Sequence, residues 1–390
     1  MKAFDKVPHK RLLSKLKAYG IGENIISWIE SFLSGRQQRV CVNGIFSDWT
    51  PVTSGIPQGS VLGPLLFVIY INDMPDNISS DIYLFADDTK VFNTTSNEDN
   101  VKILQDDLNK LKRWSETWLL LFHPQKCTVL DVGLHDRLQY EYYLGDVELK
   151  HEESEKDLGV HIDNKLKFDA HISIKINKAN NILGAIRRGF SFLDETSLLQ
   201  LYTALVRPNL EYANPVWSPR YAKDKISLEN VQRRATKMIP AIKDLPYEDR
   251  LRHLKLPTLA YRRLRGDMIE TYKILNDKYD PKVSKFLSLH RDMVPDPTKV
   301  RGHSLKLYKR KHSTMIRKQS FSFRIVEPWN SLPEKIVTAP SLNSFERRLD
   351  KFWSSQDIKY NFRETLRITH SNNTPYEIGS GDEGLDLAIV

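Results

Sequence analysis

The adjacent acids Asp87 and Asp88 are the residues whose type and spacing most directly suggest chemistry. They stand within residues 81–92 (DIYLFADDTKVF), between two runs that alternate apolar and polar side chains as strands do. Neighbouring carboxylates repel each other unless water solvates them or a cation binds them. Mg²⁺ takes hard oxygen ligands of this kind, often one or two carboxylates together with substrate phosphates. The pair therefore indicates either a metal site at a hairpin tip or an ordinary acidic turn.

A loop punctuated by glycine and proline precedes this hairpin, at residues 54–64 (SGIPQGSVLGP). Glycine lets a backbone approach a ligand closely, and the Gln58 amide offers both donors and an acceptor. Taken alone, the loop is as compatible with a structural turn as with a binding loop.

Together the two segments are specific. GIPQGSVLGPLLF followed by YLFADD closely resembles the reverse transcriptases of non-LTR (LINE-type) retrotransposons, in particular the jockey and CR1-like group. KAFDKVPH at residues 2–9 resembles the end of that family's first palm motif, and LGVHID at 158–163 resembles its primer-grip region. Residues 228–239 (LENVQRRATKMI) and 327–353 resemble its C-terminal segments, so the resemblance covers about residues 1–353.

The resemblance implies an α+β fold. Residues 1–168 would form a reverse-transcriptase palm, an antiparallel sheet backed by helices, which includes the primer-grip region but lacks the fingers and the start of the first motif. An all-helical basic thumb would follow at 169–276, and a basic C-terminal region at 277–353. We expect residues 354–390 to be a disordered tail, since the last twenty residues are polar and rich in glycine.

The resemblance also implies roles for the acidic pair and for a lysine. Asp87 would be the Mg²⁺ ligand, with Mn²⁺ as the alternative ion, and Asp88 a second, less critical carboxylate. Two ions about 3.5–4 Å apart can activate an attacking hydroxyl and stabilise the leaving pyrophosphate. Lys126 would protonate the pyrophosphate or neutralise its charge, unless it is a solvated residue at a strand end.

Three further residues are implied to meet the incoming nucleotide. Phe4 would pack under the sugar and reject a 2′-hydroxyl, although its other interpretation is a core phenylalanine. Gln58 and Gly59 match the loop that contacts nucleotide and template. The implied activity is RNA-directed DNA polymerisation, with an RNA template, a DNA primer and deoxynucleoside triphosphates as partners.

One departure from the family's pattern concerns its first motif, D-x-x-K-A-F-D. The leading Asp would lie two residues before Met1, and Asp5 occupies the motif's last position. We therefore expect a 5′-truncated copy, or a reading frame begun at an internal methionine, that is inactive alone. The alternative is a non-catalytic palm–thumb remnant that binds nucleic acid.

The elements that must position these residues follow from periodicity. Short amphipathic helices are predicted over 9–19 and 22–33, and a longer one over 100–121. Asn43-Gly44 predicts a tight hairpin, because a type I′ turn needs positive φ at both positions. Strands are predicted near 127–132, 140–149 and 158–162, and helices near 172–189, 194–206, 224–239 and 258–276.

Charge separates the two halves of the chain. Residues 1–130 are neutral, with 14 Lys and Arg against 14 Asp and Glu, whereas residues 171–353 carry 36 against 18. Such a basic stretch is typical of a polyanion-binding track, although a solvated basic surface would look the same. The densest clusters are the nucleic-acid-binding candidates: Arg187 and Arg188; Arg233, Arg234 and Lys237; Arg262, Arg263 and Arg265.

Other classes of protein fit less well. The longest apolar run, residues 61–71, is 11 residues with a Gly-Pro inside it, whereas a membrane span needs about 20. No signal peptide is visible, and two cysteines exclude a disulfide framework and a four-cysteine zinc site. We expect an intracellular protein, nuclear or cytoplasmic, of undetermined oligomeric state.

A maturase-like reverse transcriptase would carry another domain after the thumb, and a helix-turn-helix regulator would not explain the GIPQGS and FADD pair.

Overall fold

The structure, a computed structural model, describes residues 3–95, 97–133, 140–190, 192–280, 286–294, 302–312, 314–368 and, for the backbone alone, 387–389. The chain divides into two compact units. The first comprises the described residues within 1–155, 163–165 and 384–390, and the second those within 156–162 and 166–383. Within these ranges, none of the helices is long and apolar enough to cross a membrane.

The first unit combines helices with short strands. A 3₁₀ turn at Ala3–Lys6 precedes α1 (His9–Ala18), α2 (Glu23–Leu33), α3 (Leu62–Ile71) and α4 (Glu98–Trp118). The strands up to the second unit are β1 (Gln37–Gln38), β2 (Cys41–Val42), β3 (Ile45–Phe46), β4 (Thr50–Pro51), β5 (Asp81–Phe85), β6 (Asp88–Thr94), β7 (Thr128–Val132), β8 (Tyr143–Leu144), β9 (Val147–Glu148) and β10 (Lys150–His151). A hairpin of β11 (Ser154–Asp157) and β12 (Val160–Asp163) follows, and the last strand is β13 (Leu387–Ile389).

Local sequence explains several of these elements. The predicted hairpin at Asn43-Gly44 is confirmed: both residues have positive φ, 50° and 82°, and β2 pairs with β3 on either side. The helix predicted over 100–121 is α4, where the Asn97 side chain accepts a hydrogen bond from the Asn100 amide and so caps the N-terminus. Its predicted apolar stripe is buried in the core of the first unit, with Leu104, Leu108 and Leu111 each at most 3% exposed.

The main sheet has the strand order β10-β7-β13-β6-β5. Strand β13 is antiparallel to both of its neighbours, and β5 is antiparallel to β6. The β10–β7 pair is parallel, so the sheet is not the purely antiparallel one that the sequence predicted. A parallel pair needs a long crossover connection, and the chain between β7 and β10, with the β8–β9 hairpin in it, supplies one.

The second unit is helical after the β11–β12 hairpin, as the sequence predicted. A π-helical turn at Tyr202–Val206 interrupts the helix predicted over 194–206. The helices are α5 (Asp169–Gly189), α6 (Glu195–Leu201), α7 (Arg207–Glu211), α8 (Asn214–Trp217), α9 (Ala222–Thr236), α10 (Tyr247–His253), α11 (Leu259–Leu275), α12 (His290–Met293), α13 (Met315–Gln319), α14 (Phe321–Arg324), α15 (Val326–Asn330), α16 (Glu334–Val337) and α17 (Leu342–Phe352). They surround two apolar clusters, one reaching from Val160 to Leu259 and the other from Tyr261 to Ile358.

Two buried polar residues stand out inside the second unit. Asp267, 4% exposed, accepts two hydrogen bonds of 2.9 Å from the Nε and Nη2 atoms of Arg324, although the two residues are 57 positions apart. His171 is fully buried, and its Nδ1 accepts a hydrogen bond from the backbone amide of His161. Burial first, then the positive charges of Lys175 and His161, lowers the pKa of His171 to about 4.

The start of the expected disordered tail belongs to the second unit. Asp357–Lys359 form a 3₁₀ turn in which Ile358 is 4% exposed. The amide of Thr258 donates to the Lys359 carbonyl at 2.8 Å, so this turn is anchored at the start of α11. The structure thus differs from the predicted boundary at residue 354, because one buried isoleucine and these backbone bonds hold a segment whose composition is polar. Residues 369–386 and 390 lie outside the described part of the chain, and 387–389 form β13.

Candidate functional site

The acidic pair lies at a tight hairpin, as the sequence predicted. Phe85 and Asp88 are paired as the last residue of β5 and the first of β6, so Ala86 and Asp87 form the two-residue turn. Asp87 and Asp88 are both exposed. Ala86 has a φ of +52°, a left-handed conformation that costs a non-glycine residue about 1 kcal/mol or more. The turn therefore presents two carboxylates to solvent on a conformationally constrained backbone.

One face of this hairpin is anchored in the core of the first unit. Ile82, Leu84 and Val91 pack against the core of the first unit, Val91 being 2% exposed. On the opposite face the Tyr83 and Phe92 rings stack with centroids 5.4 Å apart. Because successive strand residues point to opposite faces, this alternation fixes the register and with it the position of the acidic turn.

The Gln58 loop is bonded along its length to the segment that resembles the end of the first palm motif. The Gly55 amide donates to the Val7 carbonyl at 2.8 Å, and the Ile56 amide to the Phe4 carbonyl at 2.9 Å. The Gln58 side chain donates from Nε2 to Asp5 Oδ1 at 2.8 Å. The structure therefore brings two of the sequence-predicted pieces, the residues around Phe4 and the loop around Gln58, into direct contact.

Gly55 is the point of closest approach between these segments. Its φ is +87°, and a Cβ atom there would lie 2.7 Å from the Cα and carbonyl oxygen of Asp5. Any side chain at this position would clash with backbone. The glycine is thus required by packing within the chain, which is a firmer reason than the ligand approach suggested by the sequence.

Two residues that sequence reasoning did not single out hold the carbonyl of Gly55. Arg36 Nη2 donates to this oxygen at 2.6 Å, and His9 Nε2 lies 2.8 Å from it and donates in the tautomer that carries the hydrogen on Nε2. Burial lowers the pKa of the Arg36 guanidinium from its usual value. The sequence signal for His9 was its place in the KAFDKVPH segment. Arg36 lies between α2 and β1, and no sequence pattern marked it as a functional residue.

Phe4 and Lys126 occupy different settings. Phe4 is half-buried and stacks on the ring of Phe67, with centroids 4.2 Å apart, so its core contact is part of this fold. Lys126 is exposed and ends a 3₁₀ turn at Pro124–Lys126, two residues before β7 begins. Gly59 is exposed at the tip of the Gln58 loop.

The basic clusters of the second unit divide into exposed and internally paired residues. Arg187, Arg188, Arg234 and Lys237 are exposed, at the ends of α5 and α9. Arg233 is half-buried against the ring of Tyr247, 5.0 Å from its centroid.

The third cluster is used inside the fold. Arg262 holds both carboxylate oxygens of Glu211, with Nη2 at 2.9 Å from Oε2. Arg265 donates to both oxygens of Asp350, at 2.6 and 2.9 Å. Arg263 is 6% exposed. These three side chains are therefore paired with carboxylates or buried, whereas Arg187, Arg188, Arg234 and Lys237 are exposed.

The acidic turn supplies a suitable but small donor set for a cation. Carboxylate oxygens are the ligands that Mg²⁺ prefers, and two of them leave coordination positions for substrate phosphates and water. In the part of the chain that the structure describes, no group of three or more His, Cys, Asp or Glu side chains is arranged to hold a metal.

The chain is similar to one protein family and to several known proteins. Residues 1–162 match the family described as "Reverse transcriptase (RNA-dependent DNA polymerase)". The probable RNA-directed DNA polymerase from transposon X-element of Drosophila melanogaster is 27% identical over 249 residues, 61% of this chain and 27% of that protein. The RNA-directed DNA polymerase from mobile element jockey is 31% identical over 180 residues in Drosophila melanogaster, 44% of this chain and 20% of that protein. In Drosophila funebris the jockey protein is 28% identical over 278 residues, 66% of this chain and 30% of that protein. The chain spans less than a third of the length of each of these relatives.

Proposed function

Because this chain belongs, through its first 162 residues, to the LINE-type reverse transcriptases, we propose that its first unit carries the polymerase site of a non-LTR retrotransposon. The reaction is template-directed nucleotidyl transfer. The 3′-oxygen of a DNA primer forms a bond to the α-phosphorus of a deoxynucleoside triphosphate, pyrophosphate leaves, and an RNA template selects the base.

One observation carries the proposal: three segments with motif resemblance meet on one core. The Gln58 loop is bonded to the segment around Phe4, and the strands that present Asp87 pack against the same apolar cluster as Phe4 and Ile56. The direct bonds between the Gln58 loop and the residues around Phe4 favour a composite site over isolated turns, and the acidic hairpin is anchored in the core of the same unit.

In this proposal Asp87 is the metal ligand and Asp88 a second carboxylate near it. Bound Mg²⁺ or Mn²⁺ would lower the pKa of the attacking hydroxyl and neutralise charge on the leaving pyrophosphate. The tight turn, in which Ala86 has a positive φ, would fix the backbone from which the two carboxylates project. Lys126 would add a positive charge for the pyrophosphate.

The nucleotide would be met by the Gln58 loop and by Phe4. Gln58 and Gly59 would contact the incoming nucleotide and template. Phe4, held by its stacking on Phe67, would present the rest of its ring to the sugar and exclude a 2′-hydroxyl. Its stacking makes it rigid, and rigidity is what steric discrimination between sugars needs.

For the rest of the chain we propose a palm over residues 1–168, a thumb over 169–276 and a basic C-terminal region over 277–353. Residues Arg187, Arg188, Arg234 and Lys237 support nucleic-acid binding by the thumb, since exposed cations can neutralise phosphates. Arg262, Arg263 and Arg265 give no such support, because they are paired with carboxylates or buried.

We expect a polypeptide of these 390 residues to bind a primer–template without extending the primer. The family's first motif supplies another metal-binding carboxylate, and this sequence holds the motif only from Lys2 onward. Asp5 does not replace it, since it occupies the last position of the motif. The test compares primer extension on an RNA template, with Mg²⁺, by the 390-residue chain and by a chain extended upstream to restore the leading Asp.

The extended chain should synthesise DNA, and its Asp87→Ala variant should not. If the extended chain binds the duplex but never extends it, the polymerase assignment is wrong. Robust extension by the 390 residues alone would show instead that the leading Asp is dispensable.

A non-catalytic nucleic-acid-binding protein is the second candidate. The observation that favours it is the small donor set at the acidic turn, two adjacent carboxylates among the described residues. It predicts equal duplex binding with and without Mg²⁺, and no effect of Asp87→Ala on binding or synthesis in either chain.

A further inference from the structure

Asp5 is the residue whose placement the proposed function leaves unexplained. It is exposed and closes the motif KAFD, yet its Oδ1 accepts the hydrogen bond from Gln58 Nε2, and its carbonyl accepts another from Ser54 Oγ at 3.0 Å. Its backbone also lies under Gly55, at the closest approach of the two segments. One residue therefore meets the loop at three points.

We propose that Asp5 is a positioning residue for nucleotide binding, which fixes the orientation of the Gln58 amide. This inference rests on the proposed function of the loop, and it concerns a residue to which the motif resemblance gives no role.

The hydrogen-bonding groups of the two side chains explain how Asp5 would orient Gln58. An ionised carboxylate only accepts hydrogen bonds, whereas the two ends of a glutamine amide differ, one donating and the other accepting. Asp5 therefore draws Nε2 toward itself and leaves Oε1 directed away, as an acceptor for an N–H or O–H group of the nucleotide. Without the carboxylate the amide could rotate by half a turn and present the wrong end.

The backbone around it makes the Asp5–Gln58 bond effective. An exposed hydrogen bond competes with water and contributes little when its partners are mobile. Here the Gly55 and Ile56 amides are bonded to the carbonyls of Val7 and Phe4, and Arg36 donates to the Gly55 carbonyl. Both sides of the Asp5–Gln58 bond are thus fixed within a few residues, so little conformational freedom remains to be lost when it forms.

The experiment uses the full 390-residue chain and two measurements. Hydrogen exchange reports the order of the loop amides at residues 56 and 58–60, with α4 as an internal reference, and equilibrium titration with a fluorescent Mg–deoxynucleoside triphosphate reports affinity. Asp5→Ala should speed loop exchange and weaken nucleotide binding, each by about 3- to 10-fold, the effect of one hydrogen bond. Ser54→Ala, which removes the neighbouring bond to the Asp5 carbonyl, is the matched control and should leave affinity within about twofold.

A reversed pair separates positioning from general stability. Gln58→Glu places two carboxylates together and should speed loop exchange, whereas the double variant Asp5→Asn with Gln58→Glu restores a donor–acceptor pair of opposite polarity. The double variant should recover slow exchange but not nucleotide affinity, because the Gln58 amide is gone. Recovery would not be expected if Asp5 acted only through its backbone.

The outcomes remain distinguishable from failure of the proposed function. If neither the parent chain nor the chain extended upstream binds nucleotide, the function of the loop is wrong, and the exchange measurements still decide whether Asp5 orders it. If Asp5→Ala changes neither exchange nor affinity, or the reversed pair exchanges as fast as Gln58→Glu alone, Asp5 is not a positioning residue.

Discussion

Replacing Arg187, Arg188 and Arg234 together by alanine should flatten the salt dependence of nucleic-acid binding. These three side chains are exposed at the C-terminal ends of α5 and α9, so they can release counterions from phosphates. Each phosphate contact contributes about 0.7 to 0.9 to the slope of log affinity against log salt, so three contacts contribute about 2 to 3. Between 50 and 200 mM salt, a slope smaller by about 2.5 reduces the loss of affinity about thirtyfold.

The assay is fluorescence anisotropy of a labelled RNA–DNA duplex at several salt concentrations. Two comparisons identify the source of the effect. Lys17, Lys102 and Arg113 are exposed residues of the first unit, and their replacement removes the same charge without removing the proposed contacts. Arg265→Ala breaks the bonds to Asp350, so it should lower the free energy of unfolding and leave the slope unchanged.

If the triple alanine variant keeps the parent slope, or if the first-unit variant flattens it equally, Arg187, Arg188 and Arg234 are not the phosphate contacts. Either result would mean that net charge, or another surface, holds the nucleic acid. Equal flattening by Arg265→Ala in a folded protein would show that internally paired arginines also reach phosphate.

Two further predictions concern stability, measured by urea unfolding. Arg324→Ala leaves the buried carboxylate of Asp267, whose side chain is 5% exposed, without its partner. The free energy of unfolding should fall by about 3 kcal/mol, the lower end for a broken buried pair, because Arg263 remains near Asp267. Lys17→Ala breaks an exposed pair and should cause no measurable change, so equal effects of the two variants would contradict this prediction. The pKa of His171 is lowered to about 4, so the folded state holds it neutral while the unfolded chain binds a proton below about 6.5. The contribution of neutral His171 to the free energy of unfolding is therefore complete above about pH 6.5 and is lost as the pH falls toward 4, by up to about 3 kcal/mol. His171→Asn, which keeps an acceptor for the His161 amide, should flatten the pH dependence, and an unchanged profile would exclude this histidine as its source.

Local patterns predicted the local elements well. Asn43-Gly44, the apolar stripe of α4 and the alternation around Asp87 each depend on neighbours in sequence, and each is confirmed. The family resemblance was also correct, because its motifs are short contiguous strings. The roles of Asp87, Lys126 and Gln58 stay predictions.

The periodicity of the sequence could not predict contacts between residues that are distant along the chain. Arg265 meets Asp350 across 85 positions, and Arg36 meets the Gly55 carbonyl across 19. A charged residue on a helix has the same periodicity whether it faces water, phosphate or a carboxylate. The cluster of Arg262, Arg263 and Arg265 was therefore indistinguishable in sequence from the exposed clusters.

The strand order of the main sheet bears on how this chain folds during synthesis. In the sheet formed by the described residues, β13 lies between β6 and β7 and pairs with both, and 292 residues separate the end of β6 from the start of β13. At about 5 to 20 residues per second, a ribosome needs roughly 15 to 60 s to make that interval. Throughout it, the backbone groups at Phe92–Thr94 and Leu130–Val132 lack the partners that β13 later provides, and open strand edges recruit other chains. The hairpin that bears the acidic turn would therefore emerge early but gain its full sheet late, and chaperone demand should concentrate in this window of translation.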